Sequence, residues 1–210
     1  PNVSPANEEE IQKTRRNKSV EEAYEPGSAF KIVTYSAALE EKLLTPERQI
    51  YCQGGSITIA GHTVRDGGGY GMLTVAEALQ VSSNVAAIKT GKQLGKERLL
   101  KYVERFGFGH ATEAGLPAES PGSIGGVNRW SEMSYASLPM GYEVTATPLQ
   151  VVAAMSALAN GGVWVQPHVV RQITSTTGDV LLDVQPQTRR VVSTQTATEM
   201  GKMLQGVVDR

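Results

Sequence analysis

The run from residue 148 to 158 constrains the fold more than any other stretch. Thr147 stands before it as a helix cap, and Pro148 takes the first helical position, where a missing N–H is no loss. Val151, Val152, Met155 and Leu158 make the run apolar on every side, and Asn160-Gly161-Gly162 stops it. A helix of that character is predicted to lie buried among other elements. It is too short to cross a bilayer, which takes roughly 20 residues.

A second helical run, residues 29 to 39, carries chemistry as well as apolar surface. Phe30, Val33 and Ala37 recur at helical spacing, and Pro26-Gly27 punctuates the chain just before them. Ser28 and Lys31 stand three residues apart, on one face and one turn of a helix, within reach of a hydrogen bond. A serine hydroxyl is a weak nucleophile and needs a base beside it. Lysine can serve if burial and nearby positive charge lower its pKa, since both disfavour the ammonium. The helix N-terminus adds backbone N–H groups suited to a developing oxyanion.

Composition narrows the alternatives. With 40% hydrophobic and 20% charged residues the 210-residue chain is globular in type, and a net charge of -1 offers no basic field for nucleic acid. Cys52 is the sole cysteine, which excludes an internal disulfide and a cysteine-based zinc cluster. His62, His110 and His168 are scattered outside any metal-ligand motif and are read as surface or satisfied groups. No apolar run has the length of a membrane span and no signal peptide is evident.

Residues 1–23 are polar and are expected to form an approach loop or short helix. The helical pattern after Ser28 is expected to end at Thr45-Pro46. The β-prone stretches around 50–52 and 56–59, with Gly54-Gly55 between them, predict a hairpin-like excursion over 50–64. Asp66-Gly67-Gly68-Gly69-Tyr70-Gly71 is read as a flexible loop that lacks P-loop spacing. Thr74 and Glu77 form a capping box for a short helix through Gln80.

Ser82-x-Asn84 follows, 54 residues after Ser28, in front of another helical run ending near Gly95. Residues 97–106 form an amphipathic helix with Leu99, Leu100, Val103 and Phe106 on its apolar face. Glu119 lies in a loop read as structural, and residues 130–138 are expected to be helical. Strands are predicted at 163–165, 169–173 and 180–184, with a turn at Thr177-Gly178-Asp179. Thr196 and Glu199 predict a capping box for a final helix lined by Met200, Met203, Leu204 and Val207.

Tyr24-Glu25-Pro26-Gly27-Ser28-Ala29-Phe30-Lys31-Ile32-Val33 resembles the active-serine motif of class B penicillin-binding proteins, the peptidoglycan D,D-transpeptidases of bacteria. Ser82-Ser83-Asn84 in its setting is similar to the family's second motif, and Gly141 through Gln150 to a family stretch that ends in Thr-Pro-Leu-Gln. Lys89-Thr90-Gly91 has the letters of the third motif, Lys-Thr-Gly, but it falls in a helical run only five residues after Asn84 and is read as a chance match.

The resemblance implies an α+β fold: the mostly helical subdomain of the penicillin-binding protein and serine β-lactamase-like transpeptidase fold, with small β hairpins. It implies a partial transpeptidase domain over 1–210, with a helical core at 24–162 and a β hairpin and terminal helix at 163–210. Most of the central antiparallel sheet, including the Lys-Thr-Gly strand, is expected to be missing. The serine helix would then leave part of its apolar face uncovered. The chain alone would lack one oxyanion donor, a loss of roughly 100- to 1000-fold in rate.

For the site, the resemblance implies Ser28 as nucleophile and Lys31 as its base. Ser82 relays a proton with Lys31, and Asn84 binds the amide of the substrate's acyl side chain. No cofactor is implied. Peptidoglycan stem peptides, β-lactam antibiotics and a glycosyltransferase of the division or elongation machinery are the implied partners. The parent protein would be bacterial, anchored in the cytoplasmic membrane with this domain on the outer side. A serine β-lactamase and a non-catalytic penicillin sensor or divisome scaffold are the alternative readings.

Overall fold

The computed structural model describes residues 16–126 and 130–209; the expected approach segment lies outside the described residues up to residue 15. From Asn17 onward the approach is a single helical turn, α1 (Lys18–Glu21), capped by the Asn17 side chain. A 3₁₀ turn (Gly27–Phe30) then runs directly into α2 (Lys31–Glu40). Next come β1 (Gln49–Tyr51), β2 (Ser56–Ile59), β3 (His62–Arg65) and β4 (Met72–Thr74). The helices α3 (Val75–Gln80), α4 (Asn84–Leu94), α5 (Lys96–Arg105), α6 (Glu132–Ser137) and α7 (Pro148–Ala159) follow. The chain continues with β5 (Val163–Val165), β6 (Gln172–Thr174), β7 (Val180–Asp183), β8 (Thr188–Arg190) and α8 (Thr194–Val208).

The helix after Ser28 is the axis of the structure. Every residue of α2 from Lys31 to Leu39 is buried, because α4, α5 and α8 pack around it. The expectation of an uncovered face on this helix is therefore overturned: its own chain encloses it. Phe30 packs against Phe108, with ring centroids 5.2 Å apart. The main core joins α2 to Leu99, Tyr102 and Val103 of α5, Ala153 and Ala157 of α7, and Met200 and Met203 of α8. Helix α2 ends at Glu40, earlier than Thr45, because Lys42 takes a left-handed conformation and turns the chain.

Helix α7 reverses the other expectation about burial. Val151, Ala153, Ala154, Ala157 and Leu158 face the core, but Val152 is 58% and Met155 42% exposed. The run is apolar on all sides, and only one side is covered within the described residues. Thr147 caps it in a full capping box with Gln150, whose amide also donates to the carbonyls of His110 and Pro121.

The strands pair in four separate two-stranded ladders among the described residues. β2 and β3 form a hairpin around Ala60-Gly61, both at positive φ, a turn whose twist suits the flanking strands. β1 does not join that hairpin, as the sequence reading expected; it pairs antiparallel with β4, and the hairpin is an insertion between them. The β6–β7 hairpin is shorter at its start than the predicted 169–173 strand. β5 pairs with β8, which the sequence reading missed. There the Arg189 guanidinium sits 3.6 Å over the Trp164 ring and donates to the Arg105 carbonyl, tying the ladder to α5.

The cap of α8 also differs from the predicted Thr196–Glu199 box. Ser193 is the N-cap, and its hydroxyl accepts from the Thr196 N–H. The last residue of α2 completes the cap: Glu40 Oε2 accepts from Ser193 N, Ser193 Oγ and Thr196 Oγ1. Burial works to raise the Glu40 pKa, but the hydrogen bonds from Thr196 and Ser193 outweigh it and hold the carboxyl below its ordinary value.

Candidate active site

Ser28 lies exposed in the 3₁₀ turn, while Lys31 directly behind it is completely buried at the first position of α2. The turn is pinned by its neighbours. Tyr24 exchanges two backbone hydrogen bonds with Ala146, and Gly27 N–H donates to the Gly141 carbonyl. Gly141 must be glycine here: at φ +89 a Cβ would stand 2.0 Å from the Gly27 oxygen and 2.7 Å from Phe30 Cβ. Glu25 accepts from the Glu143 N–H, closing the same contact from the other side.

The loop between α3 and α4 brings Ser82 and Asn84 to this turn. Lys31 Nζ donates to three oxygens: Ser82 O at 2.6 Å, Ser82 Oγ at 2.9 Å and Asn84 Oδ1 at 2.9 Å. Ser82 Oγ in turn donates to Ser28 Oγ at 2.9 Å. All four residues singled out in the sequence therefore meet. One detail differs from the expected pairing. The hydrogen-bonded link from Ser28 to Lys31 runs through the Ser82 hydroxyl, because the lysine side chain spends its donors on the 82–84 segment.

The electrostatics follow from burial and from the neutrality of those acceptors. Desolvation pushes the Lys31 ammonium down to about 8, and the Asp66 carboxylate pulls against that shift. With a pKa near 8, roughly one-tenth of the lysine is neutral at pH 7 and able to accept a proton. A continuous chain of proton carriers, serine to serine to amine, can then activate the exposed hydroxyl.

Other sequence candidates fall elsewhere. Lys89-Thr90-Gly91 is mid-helix in α4, where Thr90 is buried and Lys89 donates to the Tyr51 carbonyl. Gly91 is explained by packing, since a Cβ there would lie 2.1 Å from Pro139 Cγ. Glu119 is occupied by hydrogen bonds from Thr112 Oγ1 and the N–H groups of Glu113 and Ala114, which fold its own loop. The three histidines are exposed, and among the described residues no group of His, Cys, Asp and Glu could hold a metal. The residue missed was Asp66, whose only sequence signal was an acidic side chain entering a glycine-rich loop ahead of a helix start.

Comparison with known proteins covers almost all of the chain. The family model described as the penicillin binding protein transpeptidase domain matches residues 2–210. Penicillin-binding protein PbpB of Mycolicibacterium smegmatis is 36% identical over 92% of this chain and 30% of its own length. Stage V sporulation protein D of Bacillus subtilis is 34% identical over 99% of this chain and 33% of its own. The crystal structure of penicillin binding protein 3 from Mycobacterium tuberculosis, complexed with aztreonam, superposes with a TM-score of 0.87 at 34% identity, covering 98% of this chain and 47% of that one. The chain thus spans about a third of the length of these curated relatives.

Proposed function

The chain belongs to the penicillin-binding protein transpeptidase domain family, and from that premise we propose that the protein carrying it is a peptidoglycan D,D-transpeptidase using Ser28 as its nucleophile. The observation that carries the proposal is the Ser28–Ser82–Lys31 hydrogen-bonded chain ending on a desolvated lysine. The family likeness implies the same base, and this geometry supports it from the chain's own residues.

In this reading neutral Lys31 takes a proton from Ser82 as Ser82 takes one from Ser28. The Ser28 oxygen attacks the carbonyl of the D-Ala-D-Ala bond in a stem peptide. The C–N bond breaks, and the proton held on Lys31 returns through Ser82 to the departing D-Ala amine. An amine of a second stem peptide then attacks the acyl-serine ester, forming the cross-link and restoring the Ser28 hydroxyl. Asn84, held beside this chain by Lys31 and the Arg65 carbonyl, would receive the amide of the acyl donor. A β-lactam would acylate Ser28 by the same route, its opened ring remaining attached. The relative crystallised with aztreonam supports that expectation.

Peptidoglycan lies outside the cytoplasmic membrane, so the protein would act there, anchored to the membrane and working with a glycosyltransferase that supplies glycan strands. No helix among the described residues is long and apolar enough to cross a membrane.

The test is turnover. Supplied with a D-Ala-D-Ala pentapeptide donor and an amine acceptor, the protein carrying this chain should release D-Ala and form the cross-linked product, and Ser28→Ala should do neither. Equal D-Ala release by that variant would refute the assignment.

A further inference from the structure

We propose that Asp66 is a positioning residue, a clamp that holds the start of α4 so that Ser82 and Asn84 surround Lys31; the inference rests on the reading of the site above. The Asp66 carboxylate takes both free N–H groups at the first turn of α4, Asn84 N at 2.5 Å and Val85 N at 3.0 Å, through one oxygen. Through the other it accepts from the hydroxyl of Ser83, the residue that caps the same helix, at 2.7 Å. A carboxylate at a helix N-terminus is favoured by the orphan N–H groups and by the helix dipole. Here it comes from 18 residues upstream and locks the segment between two catalytic candidates.

Ser82 needs such a restraint. Its φ is +55, the left-handed region that a serine adopts only when its surroundings impose it. That conformation turns both its hydroxyl and its carbonyl toward Lys31. The same strand end holds the other side of the site: the Arg65 carbonyl, next to Asp66, accepts from Asn84 Nδ2 at 2.9 Å and leaves Asn84 Oδ1 for Lys31. Asp66 is itself fixed, its N–H donating to the Gly55 carbonyl. Gly55 lies so close to the glycine loop that a Cβ would stand 2.0 Å from the Gly68 oxygen. The loop read as flexible in the sequence is thus the base of the clamp.

The carboxylate also has an electrostatic consequence, since its charge opposes the effect of burial on Lys31. The other titratable groups at this corner are the Cys52 thiol and the Tyr35 phenol, both pushed up by burial and therefore neutral, and Lys89 on α4. Asp66 supplies the negative charge in this set.

Two variants separate position from charge. Asp66→Asn keeps the shape and removes the charge, and Asp66→Glu keeps the charge and displaces it. Acylation by a fluorescent penicillin is measured against pH, alongside hydrogen exchange of the Asn84 and Val85 amides and a melting curve. In Asp66→Asn the plateau rate should fall at least tenfold and the rising limb should move to lower pH. In Asp66→Glu the plateau should fall while the limb stays in place. Both variants should speed exchange at Asn84 and Val85 at least tenfold. A folded Asp66→Asn protein with the parent's plateau, limb and exchange rates would overturn the proposal. If the parent itself were not acylated, the transpeptidase reading would fail, and the exchange rates would still decide for or against the clamp.

Discussion

Gly141→Ala should slow the reaction even in the molecules that stay folded. The added Cβ would meet the Gly27 carbonyl oxygen at 2.0 Å, with backbone on both sides of the collision. Restoring ordinary contact requires a retreat of about 1.4 Å. That movement breaks the 3.0 Å bond from Gly27 N–H to the Gly141 carbonyl and carries Ser28, the next residue, away from Ser82. A misplacement of about 1 Å at a reacting group is worth on the order of 100-fold in rate. Alanine at φ +89 adds strain of about 1–2 kcal/mol. With the collision and the lost hydrogen bond adding about 1–3 kcal/mol, the melting temperature should fall by roughly 4–20 °C, so labelling is compared per folded molecule.

Gly162→Ala supplies the control. Its φ is +86 and its Cβ would stand 2.3 Å from the Val192 oxygen, a collision of the same kind between α7 and the approach to α8. Time courses of fluorescent-penicillin labelling, corrected for the folded fraction, should show about a 100-fold loss for Gly141→Ala and almost none for Gly162→Ala. Equal rates in the two variants, slow or fast, would refute the claim that Gly141 acts by seating the serine turn.

Two further outcomes follow from a half-buried carboxylate and a buried lysine. Glu40→Ala removes the acceptor of three hydrogen bonds at the start of α8 and should destabilise the protein by about 1–3 kcal/mol at neutral pH. Because the folded-state pKa of Glu40 lies below its ordinary value of 4.5, the charge-dependent part of that advantage is full above 4.5 and is lost as pH falls through the folded-state pKa. Urea melts of both proteins at pH 7 and at a series of lower pH values check it, and a difference that does not shrink as the pH falls would contradict it. For Lys31, the folded pKa of about 8 lies below the ordinary 10.5, so between those values the unfolded chain binds the extra proton and stability rises with pH. Lys31→Met should abolish both acylation and that rise; an unchanged rise would assign it to other groups.

Local signals made much of the fold legible. Thr74-x-x-Glu77 and Thr147-Pro148 fixed two helix starts because a cap and its partner lie within one turn of sequence. The pairing of β1 with β4 was hidden, since nothing local says that the hairpin between them is an insertion. The cap of α8 was misread for the same reason: its decisive acceptor, Glu40, lies 153 residues before Ser193. The exposure of Val152 and Met155 was beyond periodicity, which sees an apolar face but not what covers it.

The site divides in the same way. Ser28 and Lys31 share a turn, and Ser82 and Asn84 stood out by motif. Their bridge through the Ser82 hydroxyl depends on a left-handed serine that no propensity suggests. Asp66 was masked by the glycines around it, which look like flexibility in a sequence and prove to be close backbone approach in space.

The most direct measurement is the intact mass of the protein carrying this chain after incubation with benzylpenicillin, followed by peptide mapping of the adduct. A single adduct on Ser28, absent from Ser28→Ala and forming faster as pH rises through about 8, is the predicted result. An adduct on another residue, or one that persists in Ser28→Ala, would contradict the account.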